Sequence, residues 1–392
     1  METRAKKRLC FITSTRADWG LLSPVARAMR DSGAVELQII ATNMHLVEKY
    51  GMTVDEIERD GFAVSRRVPC HTDGDDDLTR AHVMSRCLDG TAVALSELKP
   101  DAVVILGDRY EMLGAASAAA MLHIPIIHIA GGEISEGALD DCFRHAITKL
   151  STLHLTATED YRRRVIQLGE QPDMVTDTGA IGVWNALNVH KQSRRELEAF
   201  LGLDLTKPTA VVTFHPATND TTSPAEQAEA MLAALERFPE LQLVITAPNN
   251  DAGGEAVMKS LTDFAAAHAD RVRFVKSLGM VRYQSLLPLA VAVIGNSSSG
   301  IVEAPSAGVP TVDIGIRQRG RTAGPSVIHC PAEENAIAGA IEKALSPGMQ
   351  ALAARRENPY YKKDTLSRMT GRILEFLGEL PVAPKSFYDL KQ

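Results

Sequence analysis

Aromatic residues make up only 5% of this 392-residue chain, so any core must be built from alanine, valine, leucine and isoleucine. Cysteine is equally sparse: Cys10, Cys70, Cys87, Cys142 and Cys330 are scattered, odd in number and free of CxxC spacing. Neither a disulfide framework nor a thiolate metal site is supported, and a reducing compartment is expected. There is no excess of positive charge: 42 lysines and arginines face 49 acids, a net charge of -7. That argues against a general nucleic-acid binder. It does not exclude a small anionic ligand, because a few well-placed arginines suffice for one phosphate pair. Long apolar runs are missing as well: none reaches the length that spans a bilayer, and the opening METRAKKRLCFIT lacks a signal-peptide core. A cytoplasmic location without membrane partners is therefore expected. Finally, no HExxH, Cys/His cluster, GxGxxG after a strand or GxxxxGK[ST] occurs, which removes support for metal, nicotinamide and ATP roles.

What remains is ordinary globular material, with 45% hydrophobic and 23% charged residues and enough length for two domains. Short apolar runs alternate with segments of helical period. Strands are expected at 9–13, 36–41, 102–106, 124–129 and 153–157, with helices at 20–31, 78–98, 110–122, 140–150 and 159–168. After TGAIGVWNAL the pattern restarts, with strands at 210–214, 242–246, 272–275, 291–294 and 311–314 and helices at 224–237, 254–268, 283–289 and 335–345. Such alternation predicts an α/β fold: two doubly wound, Rossmann-like domains, at 1–182 and 183–362, facing a central cleft. A last helical stretch, 363–377 within the tail 363–392, can pack on either domain. In open α/β sheets ligands sit beyond the carboxyl ends of the strands, so strand-end loops are where chemistry is sought.

GNSSSGIVEAPSAGVP, from Gly295 to Pro310, places three hydroxyls where a strand hands over to a helix. Ser297 to Gly300 would form a first helical turn whose free N–H groups suit an anion; the plainer reading is that one serine caps the helix. Pro305 should limit the helix to about two turns, with Gly308 as its stop. TSTRADWG and GDRYE put Arg16 and Arg109 at strand ends, where a guanidinium fits a diphosphate or makes a surface ion pair. Asp108 is either an acid or base or the N-cap of the helix at Tyr110. HIAGGEISEGALDDCFRHAITK brings Glu133, Glu136, Asp140, Asp141, Arg144 and His145 directly after a buried strand. Paired carboxylates near a histidine and an arginine suit proton abstraction and return, although one aspartate can serve as a cap. His215 in VVTFHPAT, Asn249, Asn250 and Asp251 in ITAPNNDAGG, and Arg317, Arg319 and Arg321 in DIGIRQRGR occupy equivalent places in the second half. The acidic HTDGDDD reads as a solvated loop.

With these residues assembled, the chain resembles the hydrolysing UDP-N-acetylglucosamine 2-epimerases of sialic acid and related nonulosonate pathways. TSTRADWGLL, NMHL, GDRYE, RHAITK, TFHPAT, PNNDAG, GNSSSGIVE and GIRQRGR carry the resemblance, in order, over roughly the first four-fifths of the chain. It implies a GT-B-like fold and conversion of a nucleotide sugar and water into N-acetylmannosamine and UDP. No organic cofactor is implied, and similar enzymes are homodimers or homotetramers. By motif, Ser297 and Ser298 would hold phosphate and Glu303 the ribose, with Arg16, Arg109, His215, Arg317, Arg144 and Asn249 around the diphosphate and sugar. His45, in NMHL, would line the same site. Asp108 and the pair Asp140 and Asp141 match the family's candidate acid/base carboxylates, with His215 counted among the catalytic residues. One departure stands out: many relatives read HIEGGE where this chain has HIAGGE, with Ala130 in place of the glutamate, leaving Glu133 or Glu136 to substitute. A subgroup with a similar EGA insertion acts on diacetamido sugars linked to GDP or UDP. A glycosyltransferase, a non-hydrolysing epimerase and a silent nucleotide-sugar sensor are the competing readings.

Overall fold

The computed structural model describes residues 6–390 apart from 75, 137–138, 218–219, 221 and 249–252. The chain forms two compact units, one of residues 1–133, 140–181 and 362–392, the other of 134–139 and 182–361.

The first unit is built on seven parallel strands: β1 (Lys7–Thr13), β2 (Val35–Thr42), β3 (Arg66–Val68), β4 (Ala102–Leu106), β5 (Ile126–Ile129), β6 (Leu153–Thr156) and β7 (Val175–Asp177). Their order is β3-β2-β1-β4-β5-β6-β7. Six helices alternate with them: α1 (Arg16–Asp31), α2 (Val54–Arg59), α3 (Asp77–Leu98), α4 (Tyr110–Met121), α5 (Asp140–Leu150) and α6 (Glu159–Gln167). AVVIL of β4 is buried at every position, as a central strand covered on both faces requires. The alanine-rich α4 lies so close to α3 that a Cβ on Gly114 would stand 2.6 Å from the Met84 carbonyl. β5 starts two residues later than its apolar run, because Pro125 has no N–H to offer and Ile124 N–H turns back to Ala119. β3 and β7, both edge strands of three residues, escape sequence reading because RRV and VTD show no apolar pattern.

The second unit carries six parallel strands: β8 (Thr209–Thr213), β9 (Gln242–Thr246), β10 (Val272–Val275), β11 (Ala292–Gly295), β12 (Thr311–Ile314) and β13 (Val327–Cys330). The order is β10-β9-β8-β11-β12-β13. The helices are α7 (Ile181–Asn188, entering from the first unit), α8 (Arg194–Leu201), α9 (Pro224–Glu236), α10 (Gly254–Ala267), α11 (Gly279–Leu286), α12 (Ser298–Val302), α13 (Ala304–Ala307), α14 (Glu334–Leu345) and α15 (Pro347–Ala353). The expected two-turn helix after Ser297 is in fact α12 and α13, broken at Glu303, with Pro305 opening the second piece and Gly308 closing it in the left-handed region. The last helix, α16 (Thr365–Glu379), belongs to the first unit, where it buries Met369, Ile373, Phe376 and Leu377 and packs on α1. Among the described residues no helix is long and apolar enough to cross a membrane.

Both sheets reverse direction once, between β1 and β4 in the first and between β8 and β11 in the second. At such a switch point neighbouring connections run to opposite faces and leave the strand ends open for ligands. The loops there are STRAD, GDRYE, FHPA and NSSSG.

Candidate active site

In the first unit the loop after β1 is self-capped. Asp18 accepts from Ser14 Oγ at 2.7 Å and from Thr15 N at 3.0 Å, while Thr15 Oγ1 accepts from Asp18 N at 3.2 Å. Arg16 stands exposed on the first turn of α1. After β4, Asp108 is not the cap of α4: Arg109 occupies that position and makes no side-chain capping bond. Arg109 instead donates Nε to Glu111 Oε1 at 2.5 Å, and Asn43 Nδ2 donates to the same oxygen at 3.0 Å. Glu111 is wholly buried. Burial pushes its carboxyl up, but the Arg109 charge and these hydrogen bonds hold it below the usual range. Glu111, within GDRYE, is a site residue that no local sequence signal marks. Its role depends on Asn43, which is distant in the chain.

Asp108 ion-pairs with Arg144 of α5, whose side chain is only 1% exposed. Arg144 also donates to Asp141 Oδ1 at 3.2 Å and to the Glu133 carbonyl at 2.8 Å. Asp141 in turn faces His145 Nε2 at 3.4 Å. Burial works against the Arg144 charge, yet Asp108, Glu133 and Asp141 more than offset it, so the guanidinium stays protonated. His145 is pushed down by burial, against the pull of Asp141. Arg144 was expected to bind substrate; its burial and its bonds make it the pivot that gathers Asp108, Glu133 and Asp141. Asp140 opens α5 beside them. Just before this loop Ala130 holds φ at 66°, a region that disfavours residues other than glycine, and such strain is commonly kept at functional sites.

Two expected residues make other contacts. Glu136 falls in the second unit, where Oε2 faces Arg319 Nε at 3.5 Å. His45 is fully buried, with Nε2 at 3.0 Å from Thr13 Oγ1 and Nδ1 at 2.9 Å from Thr53 Oγ1. Burial lowers it to about 4, and with both ring nitrogens engaged it has none to offer a ligand.

In the second unit a neutral clamp organises three strand ends. Asn296, 1% exposed, accepts from His215 N at 2.7 Å and donates to the His215 carbonyl at 2.8 Å. Its own carbonyl accepts from Arg317 Nη1 at 3.2 Å and from Gln318 Nε2 at 2.9 Å. Gly295, with φ at 133°, makes the approach possible: a Cβ there would stand 1.9 Å from the Thr213 carbonyl. Burial, with Arg317 adding to it, pushes His215 down to about 3, so its imidazole is neutral. Of the three serines, Ser299 Oγ donates to Glu303 Oε2 at 2.7 Å, joined there by Gln284 Nε2 at 2.5 Å. Ser297 and Ser298 make no side-chain hydrogen bond among the described residues. Burial raises the Glu303 carboxyl above its usual range. Arg321 donates to Ser135 Oγ at 3.2 Å. Asn249, like Thr218, Asn219, Asn250 and Asp251, lies outside the described residues. Among those described, no group of three or more His, Cys, Asp or Glu is placed to hold a metal ion.

A sequence profile described as UDP-N-acetylglucosamine 2-epimerase matches residues 27–374. The chain belongs to that family. It is 36% identical over 387 residues to the polysialic acid biosynthesis protein P7 of Escherichia coli, covering 98% of each chain. It is 35% identical over 342 residues to the hydrolysing GDP/UDP-N,N'-diacetylbacillosamine 2-epimerase of Campylobacter jejuni, covering 87% of this chain and 88% of that one. Among solved structures, UDP-GlcNAc 2-epimerase from Neisseria meningitidis bound to UDP-GlcNAc superposes with a TM-score of 0.79 at 18% identity, over 94% of this chain and 100% of that one. At that identity the likeness is one of fold: two α/β domains on parallel sheets, the GT-B-like architecture. The profile takes in the second switch point whole and, of the first, the loop after β4 but not the loop after β1.

Proposed function

We propose that this epimerase is hydrolysing, converting UDP-N-acetylglucosamine and water into N-acetylmannosamine and UDP. The observation that carries the reading is the convergence on buried Arg144 of Asp108, Asp141 and the Glu133 carbonyl at a sheet switch point. A carboxylate of this group, from among Asp108, Glu133, Asp140 and Asp141, removes the proton at sugar carbon 2. The C1–O bond then breaks, UDP leaves with the bonding pair, and a glycal with a C1–C2 double bond results. Water adds its hydroxyl at C1, and C2 takes a proton on the opposite face, inverting that centre. The C2 proton is weakly acidic, so stabilising charge on the departing diphosphate must supply much of the rate.

That second task falls to cations and donors. Arg109, with Nε already on Glu111, keeps its terminal nitrogens for oxyanions, and Arg16 and Arg317 add charge. Ser297 and Ser298 supply hydroxyls to phosphate, and the doubly hydrogen-bonded Glu303 is oriented to accept from ribose. Neutral His215 serves as a donor or acceptor toward the sugar and not as a cation.

Release of free sugar, as opposed to exchange on the nucleotide, is supported by the C. jejuni relative, whose name specifies hydrolysis. That same relative favours a second reading of the substrate, a GDP- or UDP-linked 2,4-diacetamido sugar of the legionaminic acid type. One experiment tests both: incubation of each nucleotide sugar in deuterated water without acceptor, with products identified by NMR and mass. The expected result is a free 2-deuterated manno-configured sugar plus nucleoside diphosphate from one of them. A product still attached to nucleotide, or release without deuterium at C2, would overturn the hydrolysing-epimerase reading.

A further inference from the structure

The Asp108–Arg144 pair joins two separate backbones, the loop after β4 and the helix α5. A single imidazole touches both elements, the loop through a backbone carbonyl and the helix through a side-chain hydroxyl. His128, in β5, has no exposed surface. Its Nε2 lies 2.8 Å from the Gly107 carbonyl, and its Nδ1 lies 3.2 Å from Thr148 Oγ1. A carbonyl can only accept, so Nε2 carries the hydrogen and donates it; Nδ1 must then accept from the Thr148 hydroxyl. Burial drives the histidine down to about 3, in keeping with this neutral tautomer.

Gly107 is the residue before Asp108 and has φ at 78°, so the 107–108 peptide has no strand ladder to fix its plane. The Gly107 N–H, in the preceding peptide, is held by the Ile129 carbonyl at 3.0 Å, and the C=O of the 107–108 peptide is held by His128. Thr148 lies one helical turn beyond Arg144 on the same face of α5 and is likewise fully buried. Gly131 closes the arrangement, since a Cβ there would come within 3.0 Å of both His128 Nδ1 and Thr148 Oγ1.

We infer that His128 and Thr148 are positioning residues for the acid/base carboxylate Asp108: through one hydrogen-bonded relay they fix the Gly107 peptide and the register of α5 against it. This rests on the proposed role of Asp108. Thr148→Val removes the donor while keeping the volume, and Thr148→Ser keeps the donor. The expected outcome for Thr148→Val is a loss of about tenfold or more in kcat with KM changed less than about threefold. In Thr148→Ser, kcat should return to within about threefold of the parent. His128→Gln, which can still donate to Gly107, should fall between His128→Leu and the parent.

The deciding measurement is a double-mutant cycle with Asp108→Asn. If the relay acts through Asp108, adding Thr148→Val to Asp108→Asn costs nothing further in kcat. If the two losses multiply, or if Thr148→Ser is as slow as Thr148→Val, the positioning role is refuted. An Asp108→Asn variant with parental kcat would instead refute the role of Asp108 itself, so the two failures are distinguishable. Hydrogen exchange at the amides of residues 107–109 supplies a readout independent of turnover. It should rise in Thr148→Val; unchanged exchange there overturns the inference.

Discussion

The two switch points solve the same problem with opposite chemistry. In the first unit a buried guanidinium holds carboxylates, a full charge at 1% exposure between two partners that are each 27% exposed. In the second a buried amide holds backbone groups, and the charges beside it stay at the rim. A charged pivot fits a place where protons move, because its field favours ionised carboxylates. The neutral clamp leaves Arg317 and the serines to meet an incoming anion. The same contrast extends to acid response. Glu111 and Glu170 of the first unit are held below the ordinary carboxyl range, Glu170 at about 2. Glu303 and Asp313 of the second are pushed above it by burial.

The contrast is sharpest at the pivot. Arg144→Met strands Asp108 and Asp141 without their counter-charge, and should cost on the order of 3–5 kcal/mol in chemical denaturation and abolish measurable turnover. A variant that keeps parental stability would show that the pair is not structurally required. Arg109→Ala should reduce kcat by roughly 10²–10³, the scale of a lost transition-state donor; steady-state kinetics decide it, and parental turnover refutes the assignment. Asn296→Ala should cost about 1–3 kcal/mol by leaving buried groups unpaired. In calorimetry it should weaken UDP binding more than it lowers kcat. A kcat effect equal to that of Arg109→Ala would erase the distinction between the two clusters.

Acid should act unevenly on the units. A carboxyl held low in the folded state stabilises above its unfolded value, near 4.5, and that contribution is lost as pH falls toward about 2. Glu170 behaves in this way, through Lys149 and Lys385 at 2.6 Å each and His154 at 3.1 Å. A carboxyl raised by burial works in reverse, its contribution being fullest at low pH and lost as pH rises. Asp18 of the first unit shares that sign but stands against Glu111 and Glu170. Hydrogen exchange between pH 4.5 and 2 should therefore loosen the first unit before the second, and Glu170→Gln should flatten the difference; simultaneous loosening would contradict this. The smallest effect belongs to Ser298→Ala, under about tenfold in kcat/KM, because one neutral hydrogen bond is worth about 0.5–1.5 kcal/mol.

Much of the fold was legible because central parallel strands are short, largely apolar runs: AVVIL, QLVIT and TVDI lie where the sequence reading puts them. The helix 140–150 has the same bounds in both. The edge strands β3, β7 and β13 and the short helices α2, α7, α8 and α15 were not legible, since three to eight residues carry too little periodicity, whereas the edge strand β10 lies where the sequence reading puts it. At the site, polar residues after each run were visible, but their partners were not. Asp108 reads equally as cap or acid. His45 reads as a ligand-facing residue, yet it is sealed between two threonines. Glu133 and Glu136, three apart, belong to different units.

The amino-acid order by itself determined the strand ends and what they display: an apolar run must be buried, and the loop that follows it emerges on the ligand side of a parallel sheet. Only the tertiary structure decided which of those groups are spent on each other. Asp108 and Arg144 are 36 positions apart, Lys385 and Glu170 more than 200, and Asn296 and His215 81. No local propensity chooses among distant partners. The choice is made by strand order, which brings certain loops within hydrogen-bond reach, and by burial, which makes leaving any such group unpaired too costly.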